Sequence, residues 1–119
     1  MSQINLFQDE KDPVVFEAGA TIFEADEKGD FMYVVIEGEV DISLNGQVLE
    51  TVQAGGMFGE MALIDNMPRS AAAVARTPCR LAKVDEPRFM SLIQNTPSFA
   101  VQIMRIMSDR LRRQNQQAG

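Results

Sequence analysis

Val40-Asp41-Ile42-Ser43-Leu44-Asn45-Gly46-Gln47-Val48-Leu49-Glu50-Thr51-Val52 decides the fold class of this 119-residue chain. Apolar and polar residues alternate from Val40 to Leu44, the period of a strand with one buried face. Asn45 and Gly46 both tolerate the positive φ of a type I′ turn, so the pair marks a tight hairpin, and Gln47–Val52 returns as its second strand. The same period continues outward. Upstream, Phe31-Met32-Tyr33-Val34-Val35-Ile36 is rich in aromatic and β-branched residues and breaks at Glu37-Gly38. Farther upstream, Val14–Glu17 and Ala20–Glu24 predict a strand pair about Ala18-Gly19, with Glu27-Lys28-Gly29-Asp30 as the next turn. Downstream, Ser70–Arg76 and Cys79–Val84 predict a further pair around Thr77-Pro78. Many short strands at close spacing, with glycine at the corners, predict a mainly β domain built as a small antiparallel barrel or sandwich.

From Glu86 the period becomes helical. Phe89, Leu92 and Ile93 share a face until Asn95-Thr96-Pro97 interrupts it, and a second helix is expected to run to about Arg113. Its apolar residues Phe99, Ala100, Ile103, Met104, Ile106, Met107 and Leu111 cover nearly half the circumference. That is wider than one core contact requires. Such a face serves either a helix wedged between barrel and neighbouring helix or a contact with a second subunit. The organisation expected is an N-terminal segment over 1–12, where Ile4, Leu6 and Phe7 predict a helical turn, and one domain over 13–119. Within that domain the barrel covers about 13–85 and the helices about 86–114.

Composition narrows the function. Histidine is absent and Cys79 is the sole cysteine. The commonest general base, the usual metal ligand and any internal disulfide are therefore missing, which points away from an enzyme and from a metal site. Charge is split unevenly. Residues 1–68 carry fourteen acidic side chains against Lys11 and Lys28, a net of −12, while residues 69–119 carry nine basic against three acidic, a net of +6; together they give the chain's −6. An acidic body repels polynucleotides, so no direct nucleic-acid partner is expected. No apolar run long enough for a bilayer and no export signal is seen, so no membrane partner and a cytoplasmic location are expected.

The chemistry concentrates in Phe58-Gly59-Glu60-Met61-Ala62-Leu63, followed by Pro68-Arg69-Ser70-Ala71. Arg69, the first arginine of the chain, is a planar, permanently charged fork matched to two phosphate oxygens. Amides near Glu60–Ala62 open a short helix and favour an anion, and Gly59 permits close backbone approach. Glu60 can accept a hydrogen bond from a hydroxyl and repels a second negative charge. This pattern closely resembles the phosphate-binding cassette of the cyclic nucleotide-binding domain family, and the similarity spans roughly Phe16 to Leu111. The resemblance implies an α+β, mainly β fold: an antiparallel jelly-roll-like β-barrel with a short cassette helix and C-terminal helices.

The resemblance implies that Glu60 holds the ribose 2′-hydroxyl, that Arg69 holds the cyclic phosphate, and that the amides of Gly59, Glu60 and Ala62 line it. It places Ser70 where bacterial catabolite-activator-type members use a hydroxyl on the phosphate, which favours cAMP over cGMP. Gly19, Gly29, Gly38 and Gly56 match the family's barrel-corner glycines. A lid over the base is expected from the region of Arg110, Arg113 or Gln114, where the alternative is a solvated basic face. Met57, Val52 and Leu63 are candidates for base-pocket walls or for plain core. The implied role is a sensor with ligand cAMP (or cGMP) and no cofactor, acting by repositioning its C-terminal helices, with a homodimer through the last helix and an effector protein as partners. The alternatives are a ligand-independent interaction or dimerisation module of the same fold, and a cyclic-dinucleotide sensor. A surface salt bridge between Glu60 and Arg69 would account for those two residues but not for the glycine, the amides and the Pro-Arg-Ser-Ala run together.

Overall fold

The computed structural model describes residues 3–118. Eight strands form two antiparallel four-stranded sheets: β1 (Val14–Phe16), β2 (Thr21–Phe23), β3 (Phe31–Glu37), β4 (Val40–Leu44), β5 (Gln47–Val52), β6 (Met57–Phe58), β7 (Ala72–Ala75) and β8 (Cys79–Asp85). Their orders are β1-β8-β3-β6 and β2-β7-β4-β5. This interleaving of two sheets is the jelly-roll arrangement, and the barrel stays open between them. One turn of helix, α1 (Met61–Ile64), follows β6, and α2 (Glu86–Asn95) and α3 (Pro97–Ala118) close the chain.

The Asn45-Gly46 turn forms as its sequence predicts. Leu44 pairs with Gln47 across it, and the two turn residues sit at φ 53° and 81°. Two other expected hairpins do not form. β1 pairs with β8 (Phe16 opposite Cys79), and β2 pairs with β7 (Thr21 opposite Val74), so Gly19 and Thr77-Pro78 are corners where the chain crosses between sheets. Alternation gives each strand a buried face but does not name its neighbour, and in a jelly roll that neighbour is distant in sequence. The N-terminal segment forms turns over Leu6–Asp9 rather than helix, although Ile4 and Phe7 are buried.

β3 is buried on both sides because its sheet lies between the other sheet and the helices. Tyr33 and Val35 face the inter-sheet core with Phe58, Leu81 and Val40. Met32 and Val34 face outward onto Phe89, Phe99 and Ile103 of the helices. Phe99 is met edge-on by Phe7 at 6.2 Å and by Phe89 at 6.0 Å, geometry that adds about 0.5–1.5 kcal/mol per pair beyond area burial. Asp85 caps α2 by accepting from the Arg88 amide at 2.9 Å, with Pro87 in the first turn. α3 extends beyond the expected end near Arg113 to Ala118 and divides its apolar residues between two faces. Phe99, Ile103 and Ile106 are buried, while Met104, Met107 and Leu111 are exposed. No helix among the described residues is long and apolar enough to cross a membrane.

Candidate functional site

A cavity of about 750 Å³ opens between the β4–β5 hairpin, the segment around α1 and the end of α3. Its volume lies within the roughly 300–1,000 Å³ typical of small-molecule sites. Gly59, Glu60, Ala62, Arg69 and Ser70 all line it, so residues up to eleven positions apart in sequence converge on one space. Arg110, Arg113 and Gln114 reach it from α3, and Val48 and Leu49 contribute exposed apolar surface from β5.

Arg69 is held from several sides. Its amide donates to Glu27 O at 2.8 Å and its carbonyl accepts from the Asp26 amide at 2.7 Å, which ties the backbone to the β2–β3 loop. Nη1 donates to Gly59 O at 2.9 Å and Nη2 to Phe31 O at 2.7 Å. The guanidinium carbon lies 4.0 Å from the centroid of the Phe23 ring. A Cβ on Gly29 would stand 2.5 Å from Cζ and Nε of Arg69, and one on Gly59 would stand 2.6 Å from Nη1, so both sites require glycine for the side chain to pass. Arg69 is only 7% exposed, forms no salt bridge among the described residues, and its Nε is buried without an acceptor. Burial pulls its pKa below the ordinary value, opposed by the nearby Tyr33, Glu27, Asp30 and Glu60, yet arginine remains charged at neutral pH. A buried cation of this kind is costly unless an anion is supplied.

Glu60 stands at the start of α1, also 7% exposed. Its carboxylate accepts from Arg110 Nη1 at 3.1 Å. Arg110 also donates through Nε to Glu50 at 3.0 Å and through Nη2 to the Met57 carbonyl, and Arg113 lies 3.8 Å from Glu50. The last helix is thereby tied to the carboxylate of the cassette. The amides of Glu60, Met61 and Ala62 donate to no backbone carbonyl among the described residues, which leaves them for a ligand or for water.

The three residues expected as base-pocket wall or plain core belong to the core. Val52 points into the core between the sheets, 3% exposed, and Met57, paired with Val34, packs on the helical core, 0% exposed. Leu63 packs on the helical core and borders a separate cavity of about 310 Å³ that has no basic side chain. From the hairpin, the apolar residues Ile42, Leu44, Val48 and Leu49 line the cavity. Phe23 and Glu50 also escaped sequence reasoning. Both lie on strands remote from the cassette, and nothing in the strand pattern distinguishes them from other half-buried positions.

The sequence over residues 13–96 matches the cyclic nucleotide-binding domain family. The chain is 33% identical over 108 residues to the CRP-like cAMP-activated global transcriptional regulator of Mycobacterium tuberculosis (strain CDC 1551 / Oshkosh), covering 87% of this chain and 48% of that protein. It thus spans about half the length of the curated relatives it matches. Among solved structures, the Thermus thermophilus catabolite activator protein superposes with a TM-score of 0.80 at 28% identity, covering 96% of this chain and 56% of the other. The cAMP-bound form of the EAL enzyme Bd1971 superposes with a TM-score of 0.64 at 32% identity, covering 90% of this chain and 30% of the other. With the family match across most of its length and this arrangement of fold and cavity, the chain belongs to the cyclic nucleotide-binding domain family.

Proposed function

We propose that this domain senses a 3′,5′-cyclic mononucleotide, cAMP in preference to cGMP, and performs no chemistry on it. The observation that carries the reading is Arg69: a buried guanidinium with no carboxylate partner among the described residues, on the wall of a nucleotide-sized cavity that also holds Glu60. Arg69 takes the cyclic phosphate together with Ser70 and the amides of Gly59 and Ala62. Glu60 accepts from the ribose 2′-hydroxyl. The base lies toward Val48 and Leu49, with Arg110 and Arg113 above it on α3. A cyclic phosphodiester carries one negative charge, which Arg69 balances; an open-chain phosphate would set a second charge near Glu60. The preference for cAMP is supported by Ser70 and by the cAMP-activated and cAMP-bound proteins that this chain resembles.

The output runs through α3. Arg110 donates to the Glu60 carboxylate, so a ribose hydroxyl at that carboxylate competes with the contact that holds the helix. The ligand can shift the helix only by its difference in affinity for the two positions, about 1.4 kcal/mol for each tenfold of coupling. Ala100, Met104, Met107 and Leu111 repeat at intervals of four, three and four along α3, the spacing of a two-helix seam, and the last three are exposed. A second copy of the chain on this seam gives a homodimer whose geometry the ligand alters, for an effector protein to read.

Calorimetric titration with cAMP, cGMP and a cyclic dinucleotide, on wild type and Arg69→Ala, tests the reading. cAMP is expected to bind most tightly, and removal of the phosphate's charge partner to weaken it by about 2–5 kcal/mol. Absence of binding by all three ligands, or equal affinity in the variant, overturns the reading.

A further inference from the structure

Arg69 is held in place without a carboxylate partner among the described residues. A buried guanidinium is normally steadied by a carboxylate, and here none lies within salt-bridge distance among the described residues. Two of its five N–H groups donate to backbone carbonyls, Gly59 O and Phe31 O. Nε–H has no acceptor. The ring of Phe23 lies against the guanidinium, its centroid 4.0 Å from the guanidinium carbon. That ring is fixed in turn: Tyr33 and Phe58 stack on each other at 5.2 Å, and Phe23 packs on them at 6.2 and 5.9 Å. Phe23 is 8% exposed and lines the same cavity as Arg69.

We propose that Phe23 is a positioning residue for anion capture, its π face standing in for the counter-ion that Arg69 lacks. An aromatic face attracts a guanidinium through its quadrupole and carries no net charge. A carboxylate at the same place would neutralise Arg69 and compete with the incoming phosphate. The ring therefore orients the fork without consuming the charge that the ligand needs. The arithmetic of donors agrees. Each terminal nitrogen has two N–H groups and one recorded acceptor, so one N–H on each stays available for an anion. The ring also fixes distance, since Phe23 Cε2 would lie 3.4 Å from a Cβ on Gly59, the residue whose carbonyl holds Nη1.

The inference about affinity rests on the cyclic-nucleotide reading; the inference about orientation does not. Both are tested by replacing Phe23 with mono-, tri- and pentafluorinated phenylalanine, which retain its shape while weakening and then reversing the quadrupole. In the ligand-free protein, hydrogen-exchange protection of the Arg69 Nε–H is expected to fall along the series while the Tm stays close to wild type. Affinity for cAMP is expected to fall in step, by about tenfold at full fluorination. Protection that does not change with fluorination overturns the proposal, whether or not a cyclic nucleotide binds. Falling protection with unchanged cAMP affinity overturns the role in capture, whereas a wild-type protein that binds no cyclic nucleotide overturns the functional reading alone. Phe23→Leu, which keeps an apolar side chain but no ring, serves as a second variant and is expected to match the fully fluorinated protein in Arg69 protection.

Discussion

Arg69 and Arg110 face the same cavity from different elements, and they are held in contrasting ways. Arg69 sits in the loop before β7, buried, against two carbonyls and an aromatic ring, without a carboxylate. Arg110 sits on α3 with two carboxylates and a carbonyl, so each of its three nitrogens has a partner. Direct carboxylate contacts are missing from one cation and concentrated on the other. A charge left without a counter-ion in a low-dielectric wall is a receptor for an external anion. A charge saturated by internal partners is a tie, and its strength depends on whether those partners stay free. Glu60 is the residue shared by the two designs, because it lines the same cavity as Arg69 and also holds the helix through Arg110.

The largest way to sharpen this contrast is Arg110→Ala. It leaves the nearly buried Glu60 carboxylate without its cation and removes a partner from Glu50. Breaking a fully buried pair costs about 3–5 kcal/mol, and partial exposure here lowers the expectation to about 2–3 kcal/mol of folding stability. Denaturant titration reads that loss, and hydrogen exchange should show the end of α3 opening first. Adding Glu60→Gln should recover part of the stability, since a neutral amide tolerates burial better than an unpaired charge. If Arg110→Ala unfolds at the same denaturant concentration as wild type, the tie to α3 does not contribute and the contrast collapses.

A smaller effect probes the other arginine. Gly29→Ala places a methyl 2.5 Å from Cζ and Nε of Arg69 and 2.9 Å from the Ala62 side chain, so the guanidinium must move. Overpacking of this sort costs about 1–3 kcal/mol. Because Gly29 does not have a positive φ, the cost is steric and falls on Arg69 rather than on the backbone. Binding of cAMP should weaken by about tenfold with a smaller change in Tm, measured by calorimetry beside thermal unfolding. Unaltered affinity would show that the fork has freedom beyond its contacts with the carbonyls and the ring.

What the sequence disclosed about these regions follows the range of the interactions. The Asn45-Gly46 hairpin depends on four adjacent residues and could be placed to the residue. The pairing of β1 with β8 joins Val14 to Leu81, and no local pattern contains that information. At the site, Glu60 and Arg69 were legible because the cassette is a contiguous run with few structural explanations. Phe23, beneath Arg69, was not, since an aromatic residue on a strand is ordinarily core. Arg110 was placed near the cavity as a lid for the base, but its engagement with Glu60 and Glu50 depends on how α3 returns across the barrel. Val52 and Met57 could be read as wall or as core because an apolar residue fits either side of a strand, and only the register decides which.

The contrast between a free and a saturated cation also needs a paired arginine remote from the cavity, and Arg88 supplies it. Its Nη1 and Nη2 donate to Glu10 Oε2 and Oε1 at 2.7 and 3.1 Å, while its guanidinium lies 5.0 Å from the Phe7 ring. The pair fastens the N-terminal segment to α2. Hydrogen bonding from Arg88 is the main cause that holds Glu10 below its ordinary value of 4.5. A carboxylate whose folded pKa is depressed adds stability that is fully present above its unfolded pKa, and that stability is lost as pH falls through the folded value. Wild type should therefore lose this increment only below about pH 4.5, and Glu10→Gln should lack it at neutral pH and show no corresponding loss on acidification. With the Arg88 side chain 40% exposed, solvent screening limits the increment to about 1 kcal/mol or less. Urea midpoints of both proteins at neutral and acid pH measure it, with cAMP affinity followed in parallel. Neither Glu10 nor Arg88 lines the cavity, so affinity should stay at the wild-type value. A weakened cAMP affinity in Glu10→Gln would mean that the N-terminal segment, through Phe7 and Phe99, shares in holding the position of α3, and the division into one free and one tied arginine would need a third member.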